Sequence, residues 1–209
     1  MASPIYFIGP ELPGPLSDKI NALKGITIKK CGYQMESNVI PHITMNLNRF
    51  FDVKDVEEAI TSICLNQRPI AVSVDGVKTF QRKKTEIAIV YVAPEKNPLL
   101  NQLQRIVCEK VAPFRDGHAL LEPGAAQGVH FTGKQIRTAK KYGYPFVGNA
   151  WIPHITIAFL LPDCFQKIGE ELLNVRIKGN FLINKLILYQ WSAIANNWVK
   201  YKYFPFRGK

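Results

Sequence analysis

The tetrapeptide Pro-His-Ile-Thr occurs twice, at Pro41–Thr44 and Pro153–Thr156, each time after an Ile and before an apolar residue. The chain has four histidines, so half of them occupy the same position in one repeated motif. An imidazole gains or loses a proton near neutral pH, and a threonine hydroxyl can donate to an anionic oxygen. Two such motifs facing each other would set one imidazole on either side of a phosphorus atom. The neutral ring would take a proton from an attacking hydroxyl or water, and the protonated ring would supply one to the departing oxygen. The hydroxyls would steady the non-bridging oxygens as charge develops there. The candidate catalytic residues are therefore His42, Thr44, His154 and Thr156, and the scheme needs neither a metal nor a cofactor.

On a β-strand, side chains alternate between faces. Ile43, Met45 and Leu47 are then expected on one face, with His42, Thr44 and Asn46 on the other. Ile155, Ile157 and Phe159 likewise oppose His154, Thr156 and Ala158. His and Thr on one face lie roughly 6–7 Å apart along the backbone, close enough to share one small anion. A solitary histidine in an apolar strand is more often structural. Two copies with the same flanks and the same Thr offset favour catalysis.

The elements around the motifs also repeat. The first half reads as a strand at Ile5–Ile8, a helix at Leu16–Leu23, the first motif strand, a helix at Val53–Cys64 and a strand at Ile70–Val77. The second reads as a strand at Ile87–Val92, a helix at Pro98–Val111, the second motif strand, a helix at Cys164–Leu173 and a strand at Phe181–Trp191. Helical spacing of Val56, Ala59, Ile60 and Ile63, and of Leu99, Leu103, Ile106 and Val107, supports two of the helices. Asp52 or Asp55 is placed to cap one, and Asn97-Pro98 reads as an N-cap followed by Pro at the first helical position.

Two His-x-Thr motifs in matched β-α-β-α-β halves resemble the 2H phosphoesterase superfamily, which includes bacterial RNA ligase-like (LigT-type) proteins and cyclic nucleotide phosphodiesterases. The resemblance covers nearly the whole chain, with "TEIAIVYVAP", "WIPHITIAFL" and a closing "LILYQW…YKYFPF" in the family's order. It implies an α+β fold of two pseudo-symmetric lobes, each a β-sheet with helices packed outside and the active-site cleft between them. It also implies His42 and His154 as the acid/base pair, with Thr44 and Thr156 binding phosphate. A single domain over 1–209 is expected, its repeats at about 1–80 and 85–209, with room for strands to exchange between lobes. The interval between the motifs is enlarged by a segment from about Arg115 to Trp151.

At 209 residues, 47% hydrophobic and 21% charged, the chain is long enough to bury a core and is not of disordered composition. No apolar run approaches the roughly 20 residues of a membrane span, and the start of the chain lacks signal-peptide character. A cytoplasmic monomer is expected. Cys31, Cys64, Cys108 and Cys164 are scattered without a Cys-x-x-Cys pair, so reduced thiols are expected and a zinc site is not. The net charge of +11 favours polyanionic ligands. It is concentrated late in the chain, with no acidic residue between Glu122 and Asp163 or after Glu171. That places the positive field around the second lobe.

The Gly-rich stretch 115–150 is too long for a plain connection and is expected to have structure of its own or to act as a lid or binding loop. Lys140-Lys141-Tyr142-Gly143-Tyr144-Pro145-Phe146 interleaves cations with rings that can stack on bases. Arg137, Lys141 and Tyr144 are candidate substrate-binding residues, against the plainer reading that Tyr144 and Phe146 anchor the loop on the core. Tyr6 is a further candidate if it shares the motifs' face of the first strand. His118 and His130 read as exposed or structural, and Arg82-Lys83-Lys84 as a charged hairpin turn.

The expected activity is metal-independent cleavage of RNA-type phosphodiesters. The linkage would be a 2′,3′-cyclic phosphate or a 2′-5′ or 3′-5′ bond in a nucleotide, oligonucleotide or RNA. Cyclic oligonucleotide or 2′-5′ oligoadenylate immune messengers are an alternative substrate class. An RNA-binding or RNA-processing module, or an RNA ligase-like protein, is the alternative of another kind.

Overall fold

The computed structural model describes residues 3–33, 37–80, 87–117 and 131–208. His118, His130 and the Arg82–Lys84 run lie outside these residues. The fold is α+β, with two four-stranded antiparallel sheets and helices packed against them. The strands are β1 (Ile5–Gly9), β2 (Asn46–Arg49), β3 (Ile70–Phe80), β4 (Ala88–Pro94), β5 (Ile155–Leu160), β6 (Lys178–Ile183), β7 (Lys185–Ser192) and β8 (Asn197–Pro205). The helices are α1 (Gly14–Cys31), α2 (Val53–Asn66), α3 (Pro98–Val111), α4 (Gly133–Tyr142) and α5 (Pro162–Leu173).

The two sheets do not follow the two halves of the sequence. One runs β2-β1-β7-β8, joining the first strands of the chain to the last, and the other runs β5-β4-β3-β6. The helices are shared in the same way. α1 and α5 pack on the strands of the second sheet and α2 on the first, while α3 touches β2 of the first and β3 of the second. The single closing strand read at Phe181–Trp191 is in fact β6 and β7, parted at Asn184 and sent to different sheets.

Local chemistry sets the helix ends. The Asp52 side chain accepts from the Lys54 amide at the start of α2, and Asn97 accepts from the Leu100 amide ahead of Pro98 in α3. The long connection does contain its own element: Thr132 and Gln135 form a capping box that opens α4. Gly143 closes α4 in the left-handed region at φ +73, with Asn48 where a Cβ would project.

The cysteine expectation needs correction. Cys31 and Cys164 form a disulfide between the end of α1 and the start of α5, with Cα atoms 5.9 Å apart. Packing of α1 on α5 brings together residues 133 apart in sequence, which no spacing rule could reveal. Lys30 pairs with Glu171 beside it, and Lys167 donates to the Lys30 carbonyl. Cys64 and Cys108 are free and buried, and burial pushes both thiols up to about 12. Closing so long a loop restricts the unfolded chain by about 2–4 kcal/mol. Reducing the disulfide, or replacing both residues by Ser, should lower Tm by roughly 4–16 °C. An unchanged Tm in a thermal melt would show that the crosslink restrains nothing.

Candidate active site

Each motif sits at the entry to its strand rather than in its middle. The first is held along the end of β1 by Ile43 N–H to the Pro10 carbonyl at 3.0 Å and Met45 N–H to the Ile8 carbonyl at 2.9 Å. A Cβ on Gly9 would come within 2.0 Å of the Ile43 carbonyl oxygen, so only glycine allows this approach. His42 itself forms an isolated bridge with Glu11.

The expected alternation fails at the same point in both copies. Met45 and Asn46 are consecutive buried residues, as are Ile157 and Ala158. Opposite the second pair, the β4–β5 register shifts between Val90 and Tyr91. Such a slip re-aims the residues that follow it. In the first copy Leu47 pairs with Phe7 in an unbroken β1–β2 register and touches both the main core and the small cluster around Phe7. Asn46 does not join His42 and Thr44, but is wholly buried and reaches Cys108 Sγ.

The imidazoles are fixed alike. Nδ1–H of His42 donates to the Ile40 carbonyl and that of His154 to the Ile152 carbonyl, both at 2.8 Å and both two residues back. This leaves Nε2 as the chemically available nitrogen on each ring. The Thr44 hydroxyl lies 3.1 Å from His42 Nε2 and donates to it when the ring is neutral. Thr156 stands in β5 opposite Tyr91.

Each ring also rests on a stacked aromatic pair from two neighbouring strands. Phe7 stacks on Tyr189 at 4.3 Å, with His42 stacked on Phe7 at 4.4 Å. Phe80 stacks on Tyr91 at 4.2 Å, with His154 edge-on to both. In β1 both faces are apolar, so periodicity carried no sign that Phe7 would face the imidazole.

A direct link joins the motifs. The Trp151 indole N–H donates to the Thr44 carbonyl at 3.0 Å, three residues before His154. Next to it, the fully buried Gln104 amide donates to the Met45 and Phe146 carbonyls at 3.0 and 2.8 Å. A lone Gln and Trp gave no pattern by which sequence could assign these roles.

Electrostatics favour neutral rings. Burial lowers the His42 pKa to about 4, against the opposing Ile40 carbonyl, and the charges of Lys24 and His154 push the same way. His154 is half-exposed at its rim, but its ring is desolvated enough to lie below the ordinary histidine value, again with a carbonyl opposing.

The four substrate-binding candidates fare differently. Tyr6 is a correction. Its neighbour Phe7 faces His42, while Tyr6 is 5% exposed in the core against Phe50 and Tyr201. Tyr144 is also a core residue, 4% exposed against Phe146, and burial raises its hydroxyl above the ordinary tyrosine value. It anchors the loop, and its ring is not available for stacking. Arg137 and Lys141 are exposed on α4, with the Lys141 ammonium 4.8 Å above the Tyr142 ring. Among the described residues, no hydrogen bond, ion pair or ring contact joins any of the four to either imidazole.

The late positive charge is also relocated. Lys185 on β7 and Lys200 on β8 pair with Glu11, the bridge partner of His42, whereas Lys202 on β8 pairs with Glu57 of α2. Among the described residues, no group of three or more His, Cys, Asp or Glu is arranged to hold a metal. Nor is any helix long and apolar enough to cross a membrane.

Each antiparallel sheet therefore carries one His-x-Thr motif at the entry to one of its strands, β2 in one and β5 in the other. The chain belongs to the 2′-5′ RNA ligase superfamily of 2H phosphoesterases, whose model matches residues 12–194. Its fold is similar to TT0787 of Thermus thermophilus, at TM-score 0.62 and 15% identity over 98% of this chain and 99% of that one. It is also similar to E. coli LigT complexed with 3′-AMP, at TM-score 0.58 and 13% identity over 99% of both chains. LigT complexed with ATP matches at TM-score 0.55 and 15% identity, over 97% of this chain and 98% of that one. No curated protein sequence matches the chain.

The depressed pKa values set the acid response. Unfolding frees each ring to protonate near pH 6.5, whereas the folded rings resist protonation. The histidine contribution to stability is therefore fully present above about pH 6.5 and is lost as pH falls toward about 4. For His42 the loss at full protonation is on the order of 3 kcal/mol. Denaturant titrations between pH 7 and 4 should show a shallower decline in His42→Gln than in the native chain. Equal slopes would contradict the burial of a neutral His42.

Proposed function

We infer that this protein is a metal-independent phosphodiesterase for RNA-type linkages, with His42 and His154 as its acid/base pair. The observation that carries the reading is the matched tethering of both Nδ1 atoms to the carbonyls two residues back, which leaves Nε2 of each ring as the nitrogen for proton transfer. Family membership supports a phosphodiester-cleaving or RNA ligase-like activity. The ligands of the LigT structures, 3′-AMP and ATP, are of the expected class for a nucleotide site.

In hydrolysis of a 2′,3′-cyclic phosphate, water forms the new P–O bond and gives its proton to the neutral imidazole. The imidazolium protonates the ribose oxygen as its P–O bond breaks. In cleavage of an internal linkage, a neighbouring ribose hydroxyl attacks instead, forming a cyclic phosphate and releasing the other nucleoside as an alcohol. Ligation is this second reaction in reverse and uses the same residues. Thr44 and Thr156 hydrogen-bond the non-bridging oxygens in each case. Arg137 and Lys141, exposed on α4, contribute through the general attraction of a basic surface for polyanions.

The test is a panel of 2′,3′-cyclic nucleotides, 2′-5′ oligoadenylate, cyclic dinucleotides and short RNA, assayed in EDTA with the native chain, His42→Ala and His154→Ala. Turnover of at least one substrate is expected, with a loss of about 10²–10⁴-fold in either variant. Full activity in both variants would end the two-histidine reading, and activity restored only by added metal would point to another site. Salt-sensitive RNA binding without turnover, unchanged in either variant, would favour a binding module.

A further inference from the structure

We propose that the site face of β7 and β8 is a stacking platform for a base of single-stranded oligonucleotide, extending from His42. This deepens the phosphodiesterase reading and rests on it for the place of the scissile phosphate.

The platform is a continuous path of rings. Phe7, stacked on His42, meets Trp198 edge-on at 4.8 Å, and Trp198 meets Trp191 edge-on at 5.4 Å. The register explains the path. Phe7 pairs with Tyr189, Tyr189 with Lys200, and Trp191 with Trp198, so these side chains share one face. Phe7, Ile187 and Tyr189, with Leu47 and Trp198 against them, form a small apolar cluster distinct from the main core, which Leu47 also touches. Trp191, at its outer end, is 37% exposed. Neither indole packs in the main core, and together with Phe7 and Tyr189 they form a contiguous aromatic cluster that reaches the surface from His42.

Charge narrows the occupant. Glu11, the bridge partner of His42, pairs with Lys200 at 2.7 Å and Lys185 at 3.1 Å and accepts from the Tyr189 hydroxyl at 3.3 Å. Two ammonium groups share one carboxylate, leaving a net positive charge beside the rings. Rings for the bases with cations for the backbone is the arrangement that holds single strands without reading sequence. An apolar peptide would use the rings but gain nothing from the excess positive charge. The expected substrates are therefore oligonucleotides, whose second base occupies the platform. A cyclic mononucleotide offers no base there.

The test uses the full chain with His42→Ala and His154→Ala, so that ligand is bound but not consumed. A labelled single-stranded tetraribonucleotide is titrated by fluorescence anisotropy with Trp191 retained, Trp191→Ala or Trp191→Tyr. The Ala variant should bind roughly 5- to 150-fold more weakly. Tyr should restore most of the loss, and affinity for a 2′,3′-cyclic mononucleotide should not change. Independently, Lys200→Gln should lower the slope of log affinity against log salt by about one. Unchanged oligonucleotide affinity in Trp191→Ala, equal losses for the mononucleotide, or an unchanged salt slope in Lys200→Gln would overturn the platform. Because no turnover is measured, these outcomes are distinct from failure of the two-histidine chemistry, which the substrate panel reads.

Discussion

The ladder between β1 and β7 is the constraint on which the rest of the structure depends. It carries the end of the chain back to its beginning, placing Tyr189 opposite Phe7 and hence beneath His42. With β3 passing the other way, into the sheet of β4 and β5, neither half of the sequence can complete a sheet alone. The motifs are held in one body by shared strands, the Trp151–Thr44 hydrogen bond and the Cys31–Cys164 disulfide. A late run of lysines and tryptophans becomes the surroundings of an early histidine through the same exchange.

This topology also marks where sequence was legible. The His-x-Thr repeat, the order of elements up to β5 apart from α4 and the apolar faces of α2 and α3 could be read because each is written in local spacing. Helix α3 runs from Pro98 to Val111, as its periodicity and Asn97 cap predict. What escaped is non-local. The alternation rule misplaced Asn46 because consecutive buried residues follow each Thr and reverse the phase, and it misplaced Tyr6 because both faces of β1 are apolar. Asn46 is tolerated in the interior because Cys108 and Gln104 build a polar network there, on a helix far away in sequence. Tyr144 sat among basic residues in a loop, and only packing shows that its ring turns inward.

The buried imidazoles pose a problem that the substrate itself can solve. Desolvation holds both rings below the ordinary histidine pKa, so at neutral pH each is poised to accept a proton and neither is charged in advance. A phosphodiester bound against the rings would bring a negative charge to them, and an opposite charge within contact raises the pKa of an imidazole. Binding would then arm one ring as the acid and leave the other as the base. The tethered Nδ1 atoms help, because protonation at Nε2 requires no tautomer change.

The most direct measurement of the paired acid/base claim varies the leaving group. A nucleoside phosphodiester with a nitrophenolate leaving group needs no proton on departure, whereas an alkoxide leaving group does. Rates with both esters would be compared for the native chain, His42→Ala and His154→Ala. The account predicts asymmetry: one variant recovers much of its lost rate on the nitrophenyl ester, identifying the acid, while the other stays impaired on both. Equal losses on both esters in both variants would contradict a division of labour between the two imidazoles.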